Sequence, residues 1–356
     1  MRMLILSGKE SLQRQIGDTA GVADTINNFI KSKKEYQIKF VYYDQTNDFN
    51  VKPVKEKNES IRNFILTFEK KWGTINFLLL LGGDRVIPFF KLKNPCEDGD
   101  GTVLSDNPYA SRDGDCLIPD RACSRIPDNK DANFITKQFN KTGKITKQSF
   151  GMTAKVWQKA SENVYRQIGK PKNMKVSPPA TSDTFKAAWL QEKDFLYFNL
   201  HGSRFSSNWY GQDQGEYPVA LKPENINRAS GIVASEACYG AYIINKSNKD
   251  AICLKFLNED SICGFCGSTT IAYGPAVPPS SEADLLVKYF FEYTKQGLTI
   301  GESFKNAKLD FARKALRRHG FLDDDDQKTL LQFVLYGDPT LRLSPQTMKS
   351  KKRGRK

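Results

Sequence analysis

Long apolar runs are missing from this sequence of 356 residues, of which 39% are hydrophobic. The longest notable run, Phe77–Leu81, is far shorter than the roughly 20 residues that a helix needs to cross a bilayer. This excludes a membrane-spanning protein. At the amino terminus only Met3–Leu6 is apolar, and the core of a secretory signal takes roughly 7–15 residues. We therefore expect a cytoplasmic chain without a membrane partner.

Histidine is scarce, with two in the chain, and the seven cysteines are neither dense nor even in number. Such cysteine usage is typical of a reducing compartment and excludes a disulfide scaffold. The one close pair, Cys263 and Cys266, has no second cysteine pair or histidine pair at metal spacing. We therefore expect no structural zinc site and no cofactor.

Aspartate-rich segments leave calcium as an alternative, because this ion prefers several oxygen ligands. Four aspartates occur in the segments DGDG and RDGDC, namely Asp98, Asp100, Asp113 and Asp115. Their spacing lacks the closing glutamate of an EF-hand loop. We interpret these segments as solvated turns, and Asp323–Asp326 in the same way.

Positive charge exceeds negative charge, giving a formal net charge of +14. A basic chain raises the question of nucleic acid as a partner. Six of the basic residues lie within the last eight positions, 349–356. We interpret this tail as a solvated, disordered end, with a nucleic-acid patch or a nuclear address as the alternative. No aromatic-basic recognition motif accompanies it, so nucleic acid is not the expected partner.

Strand and helix patterns alternate along the chain. The segments LILSG, IKFVYY and INFLLLLGG predict strands with amphipathic helices between them. The pattern restarts near Phe150 with a predicted helix over Ser182–Leu190 and the strands FLYFNL, GIVASEAC and SICGFCGST. This alternation indicates parallel pairing in an α/β sheet. We predict a smaller α/β subdomain at residues 1–143, a second α/β domain at 144–345 and a basic tail at 346–356.

Two of these apolar strands end in reactive residue types, one at His201 and the other at Cys238. If the strands are parallel neighbours, both side chains emerge at one edge of the sheet. A thiol with a pKa of about 8.5 is only slightly ionised at neutral pH, and a nearby imidazole accepts its proton and passes it to a leaving amine. Gly202 lets a substrate backbone approach, and its N–H could hold an oxyanion together with that of Cys238. The pattern predicts a thiol acyl-transfer site.

Three other cysteines and the second histidine have simpler explanations. Cys253, Cys263 and Cys266 fit the pattern of small buried apolar residues. His319 lies at the end of a helix predicted to stop at Gly320, where a cation interacts favourably with the last carbonyl groups.

The segments LHGS at His201 and SEACYGA at Cys238 resemble the histidine–glycine and alanine–cysteine signature of the caspase-like clan of cysteine peptidases. Within that clan the chain is most similar to the gingipain-type peptidases. Further segments occur in the order of that family: LLLLGGDRVIPFF, SDNPYA with PDRACSRIPD, GFCGSTT and LYGDPTLRL. The resemblance extends to about Leu343.

The resemblance implies a caspase-like, mostly parallel sheet flanked by helices in the second domain. It implies His201 as general base and acid, Cys238 as nucleophile, and Gly202 and Cys238 as the oxyanion hole. The expected activity is that of a cysteine endopeptidase that forms a thioacyl-enzyme with a protein or peptide substrate. The secretion signal and immunoglobulin-like module of secreted gingipains are missing, which favours an intracellular relative. The sequence does not identify a regulatory partner.

Two features of the family have no clear match. Glu162 is a candidate acidic partner for His201, although a surface helix position explains this glutamate as well. An aspartate confers arginine preference in part of the family, and a loose alignment puts Gln158 near its position.

Substrate specificity is predicted from Glu236, because the residue two before the nucleophile lines the pocket for the side chain preceding the cut in caspase-like peptidases. Residues two apart on a strand point to the same face, so Glu236 should emerge beside the thiol. A partly desolvated carboxylate there favours lysine or arginine. Ser268, Thr269 and Tyr273 would form a polar and aromatic wall. The alternative is a Glu236 that is already paired with an internal arginine.

Two other functions compete with peptide hydrolysis. One is a catalytically inactive caspase-like interaction module, against which the presence of both His201 and Cys238 argues. The other is a basic nucleic-acid-binding protein, whose affinity should fall steeply with salt.

Overall fold

The computed structural model describes residues 1–345, so the predicted tail at 346–356 lies outside the described residues. Strands in this part of the chain are β1 Arg2–Ser7, β2 Gln37–Tyr42, β3 Phe77–Leu81, β4 Phe90–Lys93, β5 Thr102–Ser105, β6 Ala122–Ile126, β7 Gly143–Ile145, β8 Ser149–Ala154, β9 Lys175–Ser177, β10 Phe195–Asn199, β11 Trp209–Tyr210, β12 Val219–Leu221, β13 Ser230–Ser235, β14 Ser261–Ser268, β15 Phe333–Tyr336 and β16 Leu343–Pro345.

Helices occur between most of these strands. The α-helices are α1 Lys9–Ile16, α2 Ala20–Ser32, α3 Asn58–Trp72, α4 Asn107–Ala110, α5 Ala132–Phe139, α6 Gln158–Tyr165, α7 Ile252–Asn258, α8 Glu282–Lys295, α9 Ile300–His319 and α10 Asp324–Gln332. Short 3₁₀ turns cover Lys155–Trp157, Pro171–Asn173, Ala187–Leu190 and Pro223–Asn225. No described helix is long and apolar enough to cross a membrane.

Ten strands form one sheet in the order β2-β1-β3-β6-β15-β14-β13-β10-β8-β9. Every neighbouring pair is parallel except β14 and β15, which are antiparallel. The sheet therefore consists of two parallel halves that run in opposite directions. This confirms the predicted α/β class with a mostly parallel sheet flanked by helices.

The central strands are apolar on both faces, as parallel strands covered by helices require. All five residues of β3 are buried, and so are the five of β10. The predicted boundary between residues 143 and 144 falls inside β7. In addition, β15 belongs to the predicted second domain but pairs with β6 of the first.

Local capping signals explain where the longest helix begins and ends. The Thr299 hydroxyl accepts a hydrogen bond from the Glu302 N–H at 3.1 Å, and the Glu302 carboxylate accepts one from the Thr299 N–H at 3.1 Å. The helix α9 stops at Gly320, whose φ of 82° suits glycine. The predicted helix over Ser182–Leu190 is wrong except for its last four residues. The cause is a turn in which the Thr184 N–H donates to the Thr181 carbonyl at 3.1 Å.

Arg125 in β6 is completely buried near the place where the two halves of the sheet meet, and it forms hydrogen bonds with several loops. Its guanidinium donates to the Asp106 carboxylate at 3.0 and 2.5 Å. The same group donates to the carbonyls of Gly82 at 2.8 Å and Ile87 at 2.7 Å. The nearby Asp106 carboxylate outweighs burial and raises the pKa of Arg125. The arginine is therefore always charged, and the Asp106 carboxylate is the anion that compensates this charge.

Replacing Arg125 with leucine should lower the free energy of unfolding by about 3–5 kcal/mol, because it leaves the buried Asp106 without its cation. Urea denaturation of both proteins measures the change. The control is Arg14→Leu, which removes an exposed ion pair with Glu56 and should cost less than about 1 kcal/mol. Equal losses in the two variants would contradict this account of the junction.

Candidate active site

His201 and Cys238 follow two strands that end at the same edge of the sheet. The strands β10 and β13 are parallel neighbours that end at Asn199 and Ser235. The residues after them therefore leave the sheet side by side. A β-carbon added to Gly202 would lie 2.2 Å from the Cys238 carbonyl oxygen, so the two strand ends are in direct contact.

The imidazole of His201 is held by its backbone, by one nitrogen and by neighbouring rings. Its backbone exchanges two hydrogen bonds of 2.9 Å with Tyr210. The ring centroids of Trp157 and Tyr217 lie 4.3 and 5.2 Å from that of the imidazole. Nε2 lies 2.8 Å from Oε1 of Gln212. The ring consequently has little freedom to turn.

Gln212 determines which imidazole nitrogen carries the proton. Its amide nitrogen donates to the Gln214 carbonyl at 3.2 Å and to the Tyr217 hydroxyl at 3.0 Å. A carbonyl only accepts, so the amide oxygen is the atom that faces His201, and it accepts a hydrogen bond from Nε2–H. In the neutral ring Nδ1 is then unprotonated and can accept a proton.

Cys238 precedes a sharp turn of the backbone. Tyr239 has a φ of 55°, which is uncommon for a residue with a side chain. Its N–H donates to the Thr270 carbonyl at 2.9 Å. The Cys238 sulfur lies 3.4 Å from the nitrogen and 3.6 Å from the oxygen of Ala272. The thiol is thus placed beside the segment that follows β14.

Burial shifts the pKa values of both groups toward their neutral forms. Desolvation is the main cause that raises the pKa of the Cys238 thiol, and it also lowers the pKa of the His201 imidazole. The free site therefore holds a thiol and a neutral imidazole near neutral pH. Such a pair can react by general-base catalysis, in which the ring accepts the proton as the sulfur attacks.

Two backbone donors belong to these adjoining strand ends, the N–H groups of Gly202 and Cys238. Within residues 1–345 neither of them donates a hydrogen bond to another residue. Free N–H groups at this position are the kind of donor that an oxyanion requires.

A small cleft with a cavity volume of about 30 Å³ lies beside Cys238. It is lined by Trp157, Asn199, Leu200, Glu236, Cys238, Ala272, Tyr273, Gly274, Pro275 and Ala283. Of the four residues expected to bind substrate, Glu236 and Tyr273 lie on this surface. Glu236 has Tyr197 and Asp284 as side-chain partners, so an internal arginine does not occupy it within the described part of the chain.

Ser268 and Thr269 do not form the expected wall of the cleft. Both are fully buried. The Ser268 hydroxyl donates to the Thr270 carbonyl at 2.7 Å, and the Thr269 hydroxyl donates to the Leu104 carbonyl at 2.6 Å. Their role in the structure is to hold the segment after β14 in place beneath the cleft.

Asp98 and Asp100 form a buried ionic cluster with Lys328, and their interpretation as solvated turns is wrong. The Lys328 ammonium contacts Asp98 and lies 2.8 Å from Asp100. Asp100 also accepts from the Ile271 N–H at 2.8 Å and from the Tyr239 hydroxyl at 2.5 Å. The loop between β4 and β5 is thereby bonded to Tyr239, which follows Cys238, and to the segment after β14.

The other aspartate segments behave differently from one another. Asp113 and Asp115 are exposed and accept hydrogen bonds from their own loop, as solvated turns do. The segment 323–326 is not a solvated turn, because Asp323 and Asp326 form a capping box at the start of α10. Across residues 1–345, no group of three or more histidine, cysteine, aspartate or glutamate side chains could hold a metal ion.

The sequence did not reveal the side chains that hold the imidazole. Glu162 accepts from the Gln158 amide at 3.0 Å, and the side-chain hydrogen bond of His201 is with Gln212 instead. Gln212 lies in a polar interval where no pattern distinguishes it. Trp157 could have been found, because it closely follows β8, the parallel neighbour of β10.

Comparison with known proteins identifies the family of this chain. Residues 2–344 match the model of peptidase family C25. The chain belongs to this family. It is therefore a cysteine-type peptidase, and the resemblance noted in the sequence is confirmed. No curated protein sequence matches the chain significantly.

Several solved structures share the fold of this C25 peptidase. The complex of the pro- and mature domains of RgpB from Porphyromonas gingivalis is 12% identical, with a TM-score of 0.67 over 96% of this chain and 80% of that chain. The Arg-specific cysteine proteinase gingipain R is 13% identical, with a TM-score of 0.65 over 96% and 78%. A third structure, described as a protease, is 16% identical, with a TM-score of 0.66 over 96% and 78%.

Substituting Gly202 with alanine should lower kcat/KM for a peptide by at least about a hundredfold, because the new methyl group would push the histidine and cysteine strand ends apart. The matched control is Gly215→Ala in the same connection between β10 and β13, where an added β-carbon has nothing within 4 Å. Hydrolysis rates and melting temperatures of the three proteins give the answer. Undiminished activity of Gly202→Ala would contradict the close contact.

Proposed function

We propose that this C25 peptidase cleaves peptide bonds with a dyad of Cys238 and His201. The observation that supports this most directly is the contact of Gly202 with the Cys238 carbonyl, which joins the two strand ends. A thiol and an imidazole suffice for this chemistry, so the proposal includes no cofactor.

In the first step, Nδ1 of His201 takes the thiol proton while the sulfur attacks the carbonyl carbon of the scissile bond. The N–H groups of Gly202 and Cys238 hold the resulting oxyanion. Gln212 keeps the proton on Nε2 and stabilises the imidazolium that forms. The imidazolium then protonates the leaving amine, the C–N bond breaks, and a thioester with Cys238 remains.

In the second step, water replaces the amine. The neutral His201 accepts a proton from the water as its oxygen attacks the thioester carbon. Collapse of the intermediate breaks the C–S bond, and the proton returns to the sulfur. Because the pKa of His201 is lowered by burial, the acid limit of activity should lie below the ordinary histidine value of about 6.5 for an uncharged substrate.

Removing either member of the dyad should abolish hydrolysis. Cys238→Ala and His201→Ala should each lose several orders of magnitude in kcat while remaining folded. The control is His319→Ala, at the exposed end of α9, which should keep full activity. Mass spectrometry after treatment with a peptidyl thiol inhibitor should find the label on Cys238. Comparable turnover by Cys238→Ala would point to another nucleophile, and absence of turnover by the parent protein would favour the interaction-module alternative.

We further propose that the enzyme cuts after lysine or arginine. Glu236 lies on the cleft beside Cys238, is 6% exposed and has an oxygen without a donor in the described structure. A buried carboxylate without a cation is costly, so a cationic substrate side chain would relieve that cost. The ring of Tyr273 forms one wall of the same cleft.

Fluorogenic peptides that vary only the residue before the cut test this preference. Lysine and arginine should give the highest kcat/KM, and Glu236→Gln should reduce their advantage over glutamine by at least about tenfold. Preference for aspartate or asparagine in the parent enzyme would refute the assignment. So would a Glu236→Gln enzyme that keeps its basic preference undiminished.

A further inference from the structure

A second buried carboxyl group lies behind Glu236. Asp284 belongs to the first turn of α8 and is fully buried, and its side chain contacts that of Glu236. The Tyr197 hydroxyl donates to Oε2 of Glu236 at 3.1 Å. Oε1 of Glu236 and both oxygens of Asp284 receive no hydrogen bond from any other group in residues 1–345.

The pair is next to the cleft and not deep in the core. Glu236 itself lines the cleft together with Cys238. Gly274 lines it as well, and a β-carbon on this glycine would lie 3.2 Å from Oδ1 of Asp284. The second carboxyl group therefore lies directly behind a residue that lines the cleft and has no side chain of its own.

Two carboxyl groups in contact cannot both ionise without a counter-ion. Burial raises the pKa of Asp284 to about 7, and burial together with Asp284 raises the pKa of Glu236 well above its usual range. The other titratable groups that face the pair come from three elements: Tyr197 of β10, Cys266 of β14, and Glu282 and Lys288 of α8. None of these provides a bonded cation, so the empty pair retains at least one proton near neutral pH.

Unpartnered buried oxygens are rare in proteins, and a merely structural carboxyl pair would gain from additional donors. Here three oxygens lack such a donor, and one carboxyl opens onto the cleft. A proton shared between the two carboxyl groups supplies only one donor, so at least one of these oxygens still lacks a hydrogen bond.

We propose that Glu236 and Asp284 act as one proton-sharing unit that selects the substrate side chain according to pH. This inference rests on the proposed function. Above neutral pH the unit is anionic and takes lysine or arginine. Below neutral pH, binding of the cation releases a proton from the unit to solvent. At lower pH both carboxyl groups are protonated. The neutral unit then binds an uncharged amide or urea side chain as well as it binds a cationic one.

Two fluorogenic peptides that differ only in arginine or citrulline before the cut provide the test. Citrulline has nearly the shape of arginine without its charge. Because both peptides react through His201 and Cys238, the titration of the dyad cancels in the ratio of their kcat/KM values. Between pH 5 and 9 this arginine-to-citrulline ratio should rise by up to about tenfold per pH unit until about pH 7, and then level off.

A ratio that does not change with pH, while both peptides are cut, would overturn the proton-sharing unit and leave the proposed peptidase function intact. If neither peptide is cut, the proposed cleavage after lysine or arginine is contradicted, and this inference with it. The two failures are thus distinguishable in one experiment.

Asp284→Asn tests the second carboxyl group. The amide is uncharged and can donate to the Glu236 carboxylate, so the midpoint of the ratio profile should move to lower pH. The matched control is Glu282→Gln in the same turn of α8, which should keep the midpoint within about half a pH unit. An unmoved midpoint in a folded Asp284→Asn enzyme would exclude Asp284 from the unit.

A measurement on the unaltered protein avoids any folding defect of a variant. Titration calorimetry with benzamidine in two buffers of different ionisation enthalpy counts the protons exchanged on binding. At pH 6.5 we expect release of about half a proton or more with benzamidine. Absence of proton release on binding would overturn the proposal.

Discussion

Lys328 is buried completely between Asp98 and Asp100, and the surroundings of Cys238 depend on this cluster. Three buried charges are tolerated only with well-placed partners, so their geometry is fixed. Asp98 accepts from the Tyr273 hydroxyl at 2.5 Å, and Asp100 accepts from the Tyr239 hydroxyl. Tyr239 directly follows Cys238, and Tyr273 lines the cleft. Ion pairs between the β4–β5 loop and α10 thus position both the turn at Cys238 and one wall of the cleft.

The sequence was informative where one local pattern decides the outcome. Strands such as β3 and β10 must be apolar on both faces, because helices cover a parallel sheet on both sides. A histidine and a cysteine directly after two such strands could therefore be placed at one edge. The capping box of α9 and the glycine after it likewise depend only on neighbouring residues. These features need no knowledge of long-range packing.

The rest could not be predicted, because it depends on partners that are distant in the chain. The burial of Asp100 follows from an ammonium group more than 200 positions away, and an isolated aspartate segment contains no sign of it. Gln212 lies in a polar connection and contacts His201 through a single hydrogen bond. Asp284 contacts another acidic residue, Glu236. The alternation of side chains between the two faces of a strand also gave a wrong prediction at the end of β14, where both Ser268 and Thr269 are buried.

The position of β15 has a consequence for the order in which the molecule can be completed. This strand is made after almost all the others, yet it lies between β6 and β14 in the middle of the sheet. Until residues 333–336 leave the ribosome, the two halves present open edges to each other, and such edges pair readily with other chains. Lys328 also arrives only at this stage. The sheet and the Lys328 cluster beside Cys238 are therefore complete only when this central strand is inserted.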